Sequence, residues 1–334
     1  MIKNIPTADE LLLVSLRLYF KAWGDLASII TEWAEYGEWA TKTLEEDEAA
    51  DVQAGWQKYI GAAQSDLQSI FTLIQQSQEI GLKARICEVS PYLLLKRIDI
   101  KPSDGENGVW DFTDFPTLDA SELVRVHNMF CSTTLSKDFQ AKYEEIRRGR
   151  NKISHLGIFR QNIEPLAIID ILQLHYSELY PWRRWMEDRL HFAALGKWAD
   201  FSFDSNFDER TGLYTELWHL LPELSESQFK WLMGHERREE RFICHQCGYH
   251  AQLGHTNPYA SDVPTAYPVG DDRVRCVICD KEYPIRRAAP CLVNDCKCEW
   301  QSALEGFEGL CMKCGWAPEE WEEFGNRKKM SSGT

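Results

Sequence analysis

The chain has no run of about 18 apolar residues, so no segment has the composition of a membrane-spanning helix. It shows no self-similarity at a fixed period, which excludes a solenoid or propeller. Positive charge is scarce: 37 Lys and Arg stand against 52 Asp and Glu, a net charge of -15. A whole-surface attraction to nucleic acid is thereby excluded, and any such binding must come from a local patch. Cysteine is nearly absent from the first 240 residues, which hold two of the eleven. The best N-terminal apolar run, Leu11 to Phe20, follows two acids and contains Arg17. It lacks the basic flank and small-residue cleavage site of a signal peptide. The expected compartment is the cytoplasm, with no membrane partner.

What is present fits a globular protein of 334 residues, 44% hydrophobic and 27% charged, a length for two domains or at most three. Before residue 240 the patterns are helical. Thr7 and Glu10 form a capping box, followed by Leu12, Leu16, Tyr19, Trp23, Leu26, Ile30 and Trp33 at spacings of three and four. A second helix is expected from the acidic run 45–51, carrying Trp56, Ile60, Leu67, Ile70, Phe71 and Ile74 inward. Residues 99–118 read as a loop. Further helices are expected after Asp119 and Ser136, from Pro165 and from Pro181, and as two short ones over 208–234 with Ser225 as a cap. No hairpin is expected before residue 240. The 13 tryptophans read as core anchors.

After residue 240 come Cys244-x2-Cys247, Cys276-x2-Cys279, Cys291-x4-Cys296-x-Cys298 and Cys311-x2-Cys314. A Cys-x2-Cys turn sets two thiolates on one side of a tight knuckle, as tetrahedral zinc requires. Gly248 and Gly315, directly after two of the pairs, supply permissive backbone. Four clusters imply two structural zinc ions, closed sites with no position for a catalytic water. Pairing neighbours gives Cys244, Cys247, Cys276 and Cys279 for one ion, and Cys311 and Cys314 with two of Cys291, Cys296 and Cys298 for the other. Cys291 and Cys296 are preferred; a cross-braced pairing stays open. His245, His250 and His255 are spare ligands, and Cys87 and Cys131 are small core residues.

The most basic stretch is 141–160, with six basic residues against Glu144 and Glu145. Within it lies Arg150-Asn151-Lys152-Ile153-Ser154-His155. Histidine moves protons near neutral pH, and arginine grips phosphate oxygens bidentately. Together they supply what metal-free cleavage of RNA through its 2'-hydroxyl needs. An Arg-x4-His with Asn, Asp or His directly after the arginine is expected about 0.06 times in a chain of this composition. The reading assigns Arg150, Asn151 and His155 to catalysis, and Arg147, Arg148 and Lys152 to holding RNA.

An α-helical domain carrying Arg-polar-x3-His resembles the HEPN family (higher eukaryote and prokaryote nucleotide-binding), whose Arg-x4-6-His motif is matched by Arg150, Asn151 and His155. The resemblance implies a helical-bundle homodimer with motifs from both subunits in one cleft. It also implies metal-independent endoribonuclease activity on an RNA substrate, with no catalytic metal. In prokaryotes that activity often belongs to a toxin or antiviral effector, restrained by an antitoxin or defence-system partner protein. The expected fold is mainly α: a HEPN-like bundle over 1–200, a helical linker or extension over 201–240, a zinc-ribbon-like domain over 241–318 and a tail over 319–334. The alternative function is a non-catalytic helical and zinc-ribbon interaction or nucleic-acid-binding module.

Overall fold

A computed structural model describes residues 2–43, 55–96, 109–156, 162–195, 209–252, 263–293 and 296–316. The chain is mainly helical, and among the described residues no helix is long and apolar enough to cross a membrane. It divides into two compact units, Met1–Arg183 and Arg184–Thr334.

In the first unit, helix α1 (Ala8–Thr43) begins at the expected capping box. The Glu10 amide donates to Thr7 Oγ1 (3.2 Å), and the Thr7 amide donates to Glu10 Oε2 (2.9 Å). Of the expected apolar face, Leu16, Tyr19, Trp23, Leu26 and Ile30 are buried, and Leu12 and Trp33 at its ends are half-buried. That face packs chiefly against α3 (Gln64–Val89), whose Leu67, Ile70, Phe71, Ile74 and Leu82 are buried. The acidic run 45–51 lies outside the described residues. Beyond it the expected single helix is two, α2 (Trp56–Ala62) and α3, meeting at Ala63.

Helix α4 (Ala120–Phe130) starts at the Asp119–Glu122 capping box, α5 (Lys137–Leu156) comes directly after Ser136, and α6 (Pro165–Leu179) begins at its proline. Residues 109–118 correct the loop expectation. Ile2–Lys3 (β1) pairs in parallel with Trp110–Asp111 (β2), and Leu118 N donates to Leu94 O. No hairpin forms there, but the two-residue pair ties the N-terminus to a segment 108 positions away. The residues of 99–118 before 109 lie outside the described part.

At the centre of this unit, polar groups cross between helices. Ser77 Oγ donates to the Ser15 carbonyl (2.7 Å), Ser15 Oγ meets the Tyr180 hydroxyl, and that hydroxyl lies 3.3 Å from His175 Nε2. Gly81 permits the approach. A β-carbon there would stand 2.9 Å from Leu179 Cδ1 and 3.0 Å from both Ser15 Oγ and the Tyr180 hydroxyl. Alanine's better helix propensity, worth ~1 kcal/mol, is outweighed by overpacking of about 1–3 kcal/mol. Gly81→Ala is therefore expected to lower the melting temperature, and an unchanged or raised melting point would refute the close approach.

His175 is fully buried beside Tyr19 and Tyr180, and burial pushes its imidazole down to about 3. An unfolded chain takes up this proton below ~6.5, and the folded chain does not. Stability is thus lost as pH falls from about 6.5 toward 3, amounting to about 2 kcal/mol at pH 5. Urea unfolding of His175→Gln between pH 7 and 5 is expected to show a shallower acid-side loss than wild type. Parallel slopes would contradict this assignment.

The second unit holds α7 (Trp185–Ala194), α8 (Glu209–Leu220), α9 (Glu226–Met233), α10 (His245–Gln252) and an antiparallel sheet. Its strands β3 (Ala266–Pro268), β4 (Arg273–Cys276), β5 (Glu282–Arg287) and β6 (Trp300–Ser302) lie in that order. Pro181 does not begin a helix: Arg183 N donates to Tyr180 O in a turn, and α7 starts at Trp185. The compact-unit boundary at 183/184 lies ahead of the expected one at 200. The two helices over 209–233 fall within the second unit. Helix α8 packs on α10 and α7, Thr211 Oγ1 donates to Ala251 O (2.9 Å), and Arg189 pairs with the buried Glu216 carboxylate at 2.6 Å.

Two sulfur tetrads and a basic helix end

Cys244, Cys247, Cys276 and Cys279 form one cluster, and Cys291, Cys296, Cys311 and Cys314 form another. Within each, all sulfurs lie within 4.8 Å of one another. Close pairs are Cys247–Cys276 at 4.0 Å, Cys291–Cys314 at 3.5 Å and Cys296–Cys311 at 3.8 Å. Tetrahedral coordination with metal–sulfur bonds of ~2.3 Å places ligand sulfurs about 3.8 Å apart. Both tetrads fit that geometry and could each hold a metal ion. The pairing is sequential, so the cross-braced alternative is set aside.

The backbone explains why these thiols converge. In the second pair the Asp280 amide donates to Cys276 O (3.0 Å) and the Ile278 amide to Cys276 Sγ (3.4 Å). In the last pair Gly315 N donates to Cys311 O (3.0 Å) and Lys313 N to Cys311 Sγ (3.4 Å). Gly315 sits at φ 75°, as a knuckle glycine should. Gly248 does not play that part: it lies inside α10, and the first pair spans the start of that helix. The left-handed position of the Cys276 knuckle is taken by Asp280, φ 57°.

Sequence reasoning missed the hydroxyls that brace the first tetrad. Tyr283 OH lies 3.1 Å from Cys279 Sγ, and Thr265 Oγ1 lies 3.6 Å from Cys276 Sγ and 3.1 Å from Tyr214 OH. Such outer groups orient ligands and tune them; a tyrosine in a strand, a threonine just before one and a tyrosine in a helix carry no spacing signal that would reveal it. Hydrogen bonding from the Cys244 thiol, then from Cys247 and Cys276, holds Cys279 far below the ordinary thiol range.

Cys298 is the surplus thiol. Its Sγ accepts from the Trp300 amide (3.4 Å), and it lies close enough to Cys311 to push that thiol's acidity upward. His245 is buried beside the tetrads, stacked on Phe307 at 6.3 Å, with its pKa lowered by burial to about 4. His250 Nε2 meets Gln246 Nε2 at 2.9 Å, and neither histidine belongs to a sulfur cluster. His255 lies outside the described residues. Cys87 Sγ donates to Pro6 O and Cys131 Sγ to Arg85 O, both at 3.4 Å.

Residues 141–156 of the basic stretch lie on α5, whose Tyr143 and Ile146 face the core, and the rest of it, with Arg160, lies outside the described residues. Arg147 grips Glu144 through two bonds of 2.8 Å, and Arg148 Nε reaches the same carboxylate at 2.8 Å. Hydrogen bonding from Arg147 and the further pull of Arg148 hold Glu144 down at about 2. Lys142 pairs with Glu145 at 2.7 Å. Arg150 is different. It is half-buried, its Nη1 makes one long bond to Asn151 Oδ1 (3.4 Å), and its buried Nε has no partner among the described residues. Among the described residues no carboxylate pairs with Arg150 or with the exposed Lys152.

The structure thus brings Arg150 and Asn151 together. His155 lies in the last turn of the same helix, and its side chain is outside the described part. On an ideal helix His155 shares a face with Asn151, four residues back, whereas Arg150 lies roughly 140° round. Comparison with protein-family models, with curated proteins and with solved structures found no match to this chain.

Proposed function

We propose that the protein is a metal-independent endoribonuclease of a prokaryotic toxin or antiviral defence system, acting in the cytoplasm as a homodimer and stabilised by two structural zinc ions. The observation that supports this reading is Arg150, a half-buried guanidinium on the basic helix α5 whose Nε is unbonded among the described residues. Burying those donors unpaired costs free energy that a phosphate would return. In the proposed reaction a ribose 2'-hydroxyl attacks the adjacent phosphorus and the bond to the 5'-oxygen breaks. The products are a 2',3'-cyclic phosphate and a 5'-hydroxyl that takes up the proton. His155 moves a proton, Arg150 holds the charge that builds on the phosphoryl oxygens, and Asn151 orients the phosphate.

Zinc is the ion proposed for the tetrads, because four thiolates at these separations suit it. Its chemistry there is to cross-link the fold, since each set is complete without a water. Incubating the chain with mixed RNA in EDTA, and reading the new 3' ends, tests the reading. Cyclic phosphates made by wild type and absent with Arg150→Ala support it. A second reading, a non-catalytic interaction module restrained by or restraining a partner protein, is favoured by Glu144, which neutralises much of Arg147 and Arg148. Intact RNA with every variant would favour that reading.

A further inference from the structure

The second unit carries a cleft of about 480 Å³, lined in part by the first turn of α7, the end of α9, β3 and the Cys276 knuckle. This volume is within the range of small-molecule sites. We propose that it binds a nucleoside monophosphate group, with the base against Trp231 and the phosphate on Arg184 and Arg275. The proposal does not rest on the ribonuclease reading, which concerns the other unit.

The charged groups that line the cleft are Arg184, Arg275 and Asp280, with His235 beside them. Asp280 takes one N–H from each arginine: Nη1 of Arg184 at 2.6 Å and Nε of Arg275 at 2.7 Å. A guanidinium has five such donors, so each arginine keeps N–H groups to spare, although Arg184 Nη2 also donates to Val277 O (3.5 Å) and Glu187 lies 4.0 Å from its Nη1. Both side chains are about half exposed, at 41% and 52%. Two arginines held toward one point by a shared carboxylate suit the forked oxygens of a phosphate. Asp280 is itself set by the left-handed turn of the metal knuckle, so the tetrad and the anion site share a backbone.

Four aromatic rings, Trp185, Trp231, His235 and Tyr267, line the rest of the cleft together with aliphatic side chains such as Leu232 and Val277. His235 already lies flat on Tyr267, centroids 3.6 Å apart and planes within 10°. Trp185 is buried and meets Trp231 edge to face at 5.9 Å. Trp231 is half-buried and supplies the wall on which a base can stack. Stacking tolerates any base, because each has a π-face. A planar group joined to an anion is the ligand class that uses both halves.

The test is calorimetric titration of the full chain with adenosine monophosphate, adenosine and inorganic phosphate. A hexadeoxyadenylate is added as a fourth probe, since it lacks the 2'-hydroxyl and survives any cleavage by that route. Adenosine monophosphate is expected to bind more tightly than adenosine or phosphate alone. Trp231→Ala should weaken it about tenfold and leave phosphate binding unchanged, whereas Arg275→Gln should weaken both. Trp231→Phe, a smaller ring in the same place, should weaken adenosine monophosphate by less and covers the case in which the alanine variant loses its metal. Tighter binding of the hexamer points to a nucleic-acid strand as the source and equal binding to a free nucleotide; both support the site. The proposal is overturned if phosphate binds as tightly as the nucleotide, or if folded Trp231 and Arg275 variants titrate like wild type.

Discussion

Arg150→Ala is expected to lower RNA cleavage by about 10²- to 10³-fold, the scale seen when one donor to a developing oxyanion is removed. His155→Ala should cost about 10²- to 10⁴-fold, as the loss of a general acid or base does. Arg150→Ala should change stability little: Arg150 makes one long bond to Asn151, and truncating it removes a buried Nε that has no partner among the described residues. Arg148→Ala is the informative contrast. Its Nε is tied to Glu144 and its side chain is 71% exposed, so losing it should weaken RNA binding in a salt-dependent way with little change at saturation. Equal loss of turnover for Arg148→Ala and Arg150→Ala would mean a general electrostatic patch rather than a site. The pH profile separates the roles further: an essential imidazole gives a limb near neutrality, and that limb should vanish with His155→Ala while Arg150→Ala keeps it.

Three helix starts were legible because their determinants are local. Thr7 with Glu10, Asp119 with Glu122 and Ser225 with Gln228 each close a capping box four residues long, whereas Pro181 carries no such partner and its helix starts only at Trp185. What was not legible depends on distant partners. Nothing near Ile2 announces its pairing with Trp110, and a strand of two residues has no period to detect. The split at Arg183 is equally non-local, since α8 joins the second unit through α10 and through Tyr214 against Thr265. At the basic helix the charge sum was readable, but its distribution was not. Glu144, three and four residues before Arg147 and Arg148, takes both of them and leaves Arg150 outside the pairing. The sulfur tetrads lie between these cases. Cys-x2-Cys spacing fixes three of the four knuckles locally, whereas the choice among Cys291, Cys296 and Cys298 turns on backbone conformation. Lys297 adopts φ 52°, reversing the chain between Cys296 and Cys298 and sending only the first into the cluster.

That reversal sets up the last expected result: Cys296→Ala should lose one of two equivalents of the proposed metal, and Cys298→Ala should keep both. A structural zinc site contributes apparent binding energies of about 10–16 kcal/mol in small domains, as large as the whole 5–15 kcal/mol net stability of an ordinary fold. Cys276→Ala and Cys311→Ala should therefore each empty one site and unfold much of the second unit, while the first unit, with its own core of α1, α3 and α6, keeps its helical signal. Cys298 has a different part. It is buried, receives the Trp300 amide and lies against the Cys311 thiol without being one of the four clustered sulfurs, so replacing it removes a small packed side chain at a cost of about 1 kcal/mol. Metal analysis of the purified variants reads the count directly. One equivalent retained in Cys298→Ala would move that thiol into the coordination set and Cys291 or Cys296 out of it. Two equivalents retained in Cys276→Ala would undo the sequential pairing itself, because a closed four-sulfur site cannot lose a ligand and hold its ion as before.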